Sequence, residues 1–229
     1  MKILVTYAVQ GEFTELKFPG MRGNDEVQVG YLRTGIGKVK SAYYLTDALN
    51  RLQPDLVINI GTAGTVGHRV GDIFVCRRFV DRDLQKVRGL GMDCRLDVSG
   101  LLEEKGYCLH WQGMDGVCNT GDSFLTELTD VEGDVVDMEA YAQAWVCRAK
   151  GVPFVAVKYV TDVIGLNSVQ HWEDKLSDAR RALEAFFERT GGVRSYFKVL
   201  YDKMCQLMPA ANRSSRTRSQ SAAIRKVTQ

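Results

Sequence analysis

Short apolar runs alternate along the chain with longer amphipathic stretches, which is the pattern of strands in a covered sheet joined by helices. The predicted strands are residues 2–8, 27–34, 55–60, 72–80, 107–111, 116–119, 135–138 and 153–160. Apolar residues at helical spacing predict helices over residues 39–52, from about residue 139 onwards and over residues 172–190. Gly61–Gly64 directly follows a predicted strand, so we expect a tight turn there. The pattern as a whole predicts an α/β fold.

The chain has 229 residues, of which 45% are hydrophobic, so it is long enough for one large domain with a buried core. We place this domain at residues 1–192 and a C-terminal extension at residues 193–211. From residue 212 the chain consists largely of Ser, Arg, Thr and Gln, and it carries too little apolar surface to offset its ordering entropy. We therefore expect residues 212–229 to be a disordered basic tail.

The charge balance gives no electrostatic sign of a nucleic-acid partner. Thirty Lys and Arg residues nearly match 28 Asp and Glu residues, for a net charge of +2. The six cysteines form no CxxC pair and no zinc-ligand spacing, so we expect free thiols, no metal and no cofactor. No segment approaches the roughly 20 apolar residues that a membrane span needs, and we expect a cytoplasmic protein with no membrane partner.

Polar residues follow several predicted strands, at the edge of the sheet where ligands of α/β proteins bind. The candidates are Glu12, the glycine pairs at residues 35–37 and 61–64, Glu139, and the Thr161-Asp162 pair. Ordinary structural roles are also open at each place. The glycines suit tight turns, an acid in a first helical turn suits the helix dipole, and an aspartate suits a helix cap. Neither glycine segment matches a dinucleotide fingerprint or a phosphate loop.

Six motifs in order along the chain resemble the 5′-methylthioadenosine/S-adenosylhomocysteine nucleosidases of the nucleoside phosphorylase superfamily. They read AVQGEF, RTGIGKVKSA, NIGTAG, NTGDSFL, VVDMEA and VKYVTDV. The resemblance runs from Met1 to about Gly192, with a shortening between Asp83 and Gly121. It implies a three-layer αβα sandwich with a mixed central sheet, a small purine nucleoside as ligand, a role in methionine salvage and assembly as a homodimer.

The resemblance also implies roles for the carboxylates. It places the water-activating glutamate on Glu12 and a ribose-binding Met-Glu pair on Met138 and Glu139. The hydroxyl-carboxyl pair that protonates the departing base falls on Thr161 and Asp162. These residue types suit the chemistry, because an N-glycosidic bond breaks through an oxocarbenium-like state that needs an acid for the base and a base for the water.

Further residues fall on positions that line or support the family's site. Thr62 stands where the nucleosidases have a serine, Phe124 and Leu125 fall on the segment along the purine, and Trp172 resembles the residue that caps the 5′ side. A supporting family arginine is replaced by Lys158, which keeps the charge but loses the planar fork.

Hydrolysis is favoured over phosphorolysis by two departures from the phosphorylase pattern. Asn59 is neutral where phosphorylases carry an arginine, and a glutamate at Glu12 repels phosphate but assists water. Arg33, before the Gly35 turn, leaves phosphorolysis open. The alternatives to an adenine-nucleoside hydrolase are therefore a purine nucleoside phosphorylase, a futalosine-type hydrolase, or a nucleoside-binding protein without turnover.

Overall fold

A computed structural model describes residues 1–12, 28–105, 107, 113–127, 131–166 and 168–188. Most of the strand predicted at residues 107–111 lies outside the described residues. So do the end of the helix predicted to residue 190, the extension at 193–211 and the tail at 212–229. No described helix is both long and apolar enough to cross a bilayer.

The described residues form eight strands of one mixed sheet. The strands are β1 (Lys2–Tyr7), β2 (Gln28–Arg33), β3 (Leu56–Thr65), β4 (Ile73–Asp81), β5 (Arg95–Asp97), β6 (Met114–Thr120), β7 (Val135–Asp137) and β8 (Phe154–Val163). The helices are α1 (Lys38–Leu52), α2 (Arg82–Gln85), α3 (Ser99–Glu104), α4 (Ala140–Ala149) and α5 (Ser168–Glu188), with a 3₁₀ turn at Arg88–Leu90. The order of strands and helices is that of an α/β fold, as the sequence predicts.

The sheet closes on itself in its central part. β3 runs parallel to β8, β8 antiparallel to β4, β4 parallel to β6, and β6 parallel to β7. β7 then returns to β3, where Val136 lies opposite Gly64. Because the ring closes there, the ends of β3, β7 and β8 converge on one side of the molecule. β1 and β2 extend the sheet beyond β3, and β5 edges β4.

Helices cover both faces of the sheet, which confirms the three-layer arrangement. On one face, α5 packs Ala179, Leu183 and Phe187 against β1, β3 and β8. On the other, α1 and α4 bury a second cluster that includes Leu45 and Ala144. The apolar side chains of β3 and β8 are buried on both faces, as expected for central strands of a covered sheet.

The turn predicted at Gly61–Gly64 is wrong. β3 continues through these residues to Thr65, because β8 pairs with it from Val57 to Thr65. Glycine is needed here for space and not for a turn. A β-carbon on Gly64 would lie 3.0 Å from Oδ2 of Asp162, and one on Gly61 would lie 3.4 Å from Oε1 of Glu12. These glycines therefore let two carboxyl groups approach the strand closely.

Candidate active site

Glu12 lies just beyond β1, and backbone donors from two segments hold its carboxylate. Oε2 accepts from the N–H groups of Ala8 (3.2 Å) and Val9 (3.0 Å). Oε1 accepts from the backbone N–H of Thr62 (3.1 Å) and from its hydroxyl (2.6 Å). The side chain is only 4% exposed. A buried carboxylate with four donors has one fixed orientation, and here it links the end of β1 to the middle of β3.

Glu139 immediately precedes α4, at the end of the segment that carries β7. Its Oε1 accepts from the N–H of Gly37, 2.9 Å away, and Gly37 has a φ of 96°, which favours glycine. Burial raises the pKa of Glu139 to about 8, and the nearby carboxylates of Asp137 and Glu12 add to the rise. This carboxyl group is therefore protonated at neutral pH.

A β-bulge positions Asp162 near the end of β8. Ala63 lies opposite Val160 but Gly64 lies opposite Asp162, so Thr161 is the extra residue. The Thr161 hydroxyl lies 2.8 Å from Oδ1 of Asp162, to which it can donate. Asp162 is 3% exposed. The sequence predicts this pair after the strand, whereas the structure places it inside β8, where the bulge directs the aspartate towards the ligand cavity.

Lys158 lies behind the site, in an ion pair that is almost fully buried. Its Nζ lies 2.8 Å from Oδ2 of Asp137, and each side chain is 1% exposed. Asp137 also accepts from the hydroxyl of Thr120 (2.5 Å) and from the N–H of Ala140 (2.8 Å). Burial opposes ionisation of Asp137, but Lys158 and the hydrogen bonds from Thr120 and Ala140 together outweigh it and hold the pKa of Asp137 below its usual range. The pair therefore stays charged on both sides.

These groups surround a cavity of about 130 Å³. The predicted site residues that line it are Glu12, Thr62, Phe124, Leu125, Met138, Glu139, Asp162 and Trp172. Phe124 and Trp172 face each other edge to face, with ring centroids 6.4 Å apart. Thr161 and Lys158 are not among the lining residues and lie behind them. Within the described part of the chain, no group of three or more His, Cys, Asp or Glu residues is placed to hold a metal ion.

Asp137 lines the cavity and pairs with Lys158, but the sequence predicts no role for it. The VVDMEA motif contains it, and the resemblance assigns roles only to the two residues that follow it. A buried lysine in the most strand-like run of the chain needs a buried anion. The presence of Lys158 in this run is therefore the sequence feature that indicates a buried acidic partner such as Asp137.

A sequence model of the phosphorylase superfamily matches residues 4–99 and 112–190. The 5′-methylthioadenosine/S-adenosylhomocysteine nucleosidase of Geobacillus thermodenitrificans is 34% identical over 179 residues, 69% of this chain and 76% of that protein. The nucleosidase of Bacillus pumilus is 34% identical over 177 residues, 68% of this chain and 77% of its own length. This chain belongs to the 5′-methylthioadenosine/S-adenosylhomocysteine nucleosidase family. The superfamily model leaves residues 100–111 unmatched.

A solved structure of a family member is similar in fold. The nucleosidase of Colwellia psychrerythraea, solved with adenine, aligns with a TM-score of 0.67 at 22% identity, covering 87% of this chain and 96% of that one. This likeness supports the nucleoside phosphorylase-like architecture described above.

The raised pKa of Glu139 predicts a pH dependence of stability. Between its ordinary pKa of 4.5 and about 8, the folded protein keeps a proton that the unfolded chain releases. Raising the pH through this window therefore lowers the free energy of unfolding. Glu139→Gln removes the titrating group, so its stability relative to wild type should increase from pH 5 to pH 8. Urea denaturation of both proteins across this range measures the difference. A difference that stays constant with pH contradicts the protonated state.

Proposed function

We propose that this protein hydrolyses the N-glycosidic bond of an adenine nucleoside, such as 5′-methylthioadenosine or S-adenosylhomocysteine, and releases adenine. The observation that carries the proposal is the convergence of Glu12, Glu139 and Asp162 on one cavity. One acid for the leaving base, one base for water and one group for the sugar are the parts that this cleavage requires. The reaction would belong to methionine salvage.

Asp162 acts as the acid for the departing base. It donates its proton towards N7 of the purine as the bond from C1′ to N9 breaks, so that adenine leaves as a neutral molecule. The electron pair of that bond stays with the base. Thr161 supports the aspartate from behind, since its hydroxyl contacts Oδ1. Phe124 and Leu125 lie beside the cavity as the apolar wall for the purine.

Glu139 holds the sugar. The ribose hydroxyls are donors, so they bind best to the ionised carboxylate, and the positive charge that develops at C1′ favours the same form. Substrate binding therefore lowers the pKa of Glu139 from about 8, and its proton is released to the solvent. Met138 lies beside Glu139 on the cavity wall.

Glu12 orients the attacking water and takes its proton. The water oxygen bonds to C1′ as the proton passes to the carboxylate, so the products are adenine and a free sugar. The four donors around Glu12 hold the carboxylate in place for this step. Trp172, which also lines the cavity, closes the 5′ side of the nucleoside.

The cavity is better suited to bind water than phosphate as the attacking group. None of the described residues lining it is cationic, and a bound phosphate needs cations or several free donors. Asn59, at the position of a phosphorylase arginine, is buried and donates to the hydroxyl of Thr6, 3.2 Å away. Arg33 is exposed at the end of β2 and is absent from the described lining.

The proposed enzyme is a cytoplasmic homodimer. Ile36, which lies two residues before α1, and Val39 and Tyr43, in the first two turns of α1, are 46%, 77% and 69% exposed. A group of large apolar side chains with this exposure is typical of a surface that a partner covers. Ile36 also lines the cavity, so a second copy on this surface would reach the mouth of the site. The free thiols of Cys76, Cys94, Cys118 and Cys147 suit a reducing compartment.

Incubation with methylthioadenosine, with and without phosphate, tests the proposed reaction. We expect adenine and the free sugar at a rate that phosphate does not change. Formation of a sugar phosphate would identify a phosphorylase, and bound but unchanged nucleoside would identify a binding protein.

Asp162→Asn should abolish release of adenine and leave binding of the nucleoside within about tenfold, because it removes the proton donor and little of the contact surface. Turnover is followed by release of adenine and binding by calorimetry. Glu104→Gln, an acid-to-amide exchange at an exposed side chain of α3, is the control and should behave as wild type. Normal turnover of Asp162→Asn contradicts the assigned role.

Val39→Glu should convert the dimer to a monomer, because it places a charge in the proposed interface. Light scattering after size-exclusion chromatography measures the mass. Ser177→Glu, exposed on α5 across the sheet, is the control and should leave the mass unchanged. A monomeric wild-type protein, or a Val39→Glu variant of unchanged dimeric mass, contradicts the proposed interface.

A further inference from the structure

A chain of two hydrogen bonds joins α5 to the carboxylate of Glu12. The indole Nε1 of Trp172 donates to Oγ1 of Thr62, 3.0 Å away. The Thr62 hydroxyl donates in turn to Oε1 of Glu12, 2.6 Å away. The first contact spans 110 positions of sequence and the second spans 50. The three side chains are therefore brought together only by the complete fold.

The Thr62 hydroxyl is the one adjustable donor to Glu12 among those the structure describes. The other three are backbone N–H groups, of Ala8, Val9 and Thr62 itself, and strand and loop geometry fixes them. The hydroxyl alone can rotate without moving the backbone, so its direction is the one that a neighbouring side chain can set.

The indole N–H decides where that hydroxyl points. A hydroxyl has one proton, and an oxygen that accepts from Trp172 must direct its own proton to another acceptor. The acceptor present is Oε1 of Glu12, and the bond to it is the shortest of the four. Donation from the indole also polarises the hydroxyl and strengthens its bond to the carboxylate.

We propose that Trp172 is a positioning residue for the attack of water, acting through the Thr62 hydroxyl on Glu12. This inference rests on the proposed hydrolysis and adds a role to a side chain whose ring closes the cavity. The N–H and the ring of Trp172 then do different things. The ring packs near Phe124 and meets the ligand, and the N–H keeps the Thr62 hydroxyl directed at the carboxylate that activates water.

Trp172→Phe separates the two roles, since it keeps an aromatic ring and removes the N–H. We expect kcat for methylthioadenosine to fall about fivefold, the loss typical of one hydrogen bond, with KM within about twofold. Trp172→Ala should raise KM as well, because the ring is also lost. Trp145→Phe, the same exchange at a half-exposed residue of α4, should change neither constant.

Variants of Thr62 test whether the effect of Trp172 on kcat passes through the Thr62 hydroxyl. In Thr62→Ser, which keeps a hydroxyl, Trp172→Phe should again lower kcat about fivefold. In Thr62→Val, which removes it, Trp172→Phe should have no further effect on kcat. An ¹⁵N spectrum supplies a readout without turnover, since the indole N–H signal that disappears in Trp172→Phe should shift in Thr62→Val.

Unchanged kcat in Trp172→Phe, or an equal loss in the Val and Ser backgrounds, overturns the positioning role while the hydrolysis stands. A wild-type protein that does not release adenine from methylthioadenosine contradicts the proposed function itself. The two failures are therefore distinct.

Discussion

The site depends on one buried ion pair, between Lys158 and Asp137. Among the described residues, four acidic side chains line the cavity, and the ammonium of Lys158 lies behind them with 1% of its side chain exposed. Lys158, with the hydrogen bonds from Thr120 and Ala140, holds Asp137 in its ionised form in spite of its burial. Glu139, which the same burial affects without such a partner, keeps its proton to about pH 8. Because of the ion pair, Asp137 stays ionised and has a structural role, whereas Glu139 can lose its proton when a ligand binds.

The closed ring of strands explains how these groups meet. β7 contributes Asp137, β8 contributes Lys158 and Asp162, and β3 runs between them and the loop that carries Glu12. Gly61 and Gly64 leave room for the carboxyl groups beside β3. A larger side chain at either glycine would have to displace a carboxylate that the reaction uses. The active site therefore needs the two glycines of the NIGTAG motif, although neither takes part in the reaction.

Much of this arrangement can be predicted from the sequence, and the errors have physical reasons. Alternating hydrophobicity and residue spacing predict most strands and helices, and six short motifs bring together the three carboxylates. The turn predicted at Gly61–Gly64 is wrong because glycine marks a close approach as well as a turn. Asp137 was missed because its partner lies 21 positions away and only the folded sheet brings them to 2.8 Å. The bond from Trp172 to Thr62 has no sequence signal, because it joins a helix to a strand across the core.

The central claim is that one cavity holds the nucleoside, with Asp162 at the purine, Glu139 at the ribose hydroxyls and Glu12 at C1′. A crystal structure of Asp162→Asn with intact methylthioadenosine tests this most directly. It should show the side chain at position 162 within hydrogen-bond distance of purine N7, Glu139 on the ribose hydroxyls and Glu12 facing C1′ with a water between them. A nucleoside bound outside this cavity, or one whose purine lies against Glu12, would contradict the account.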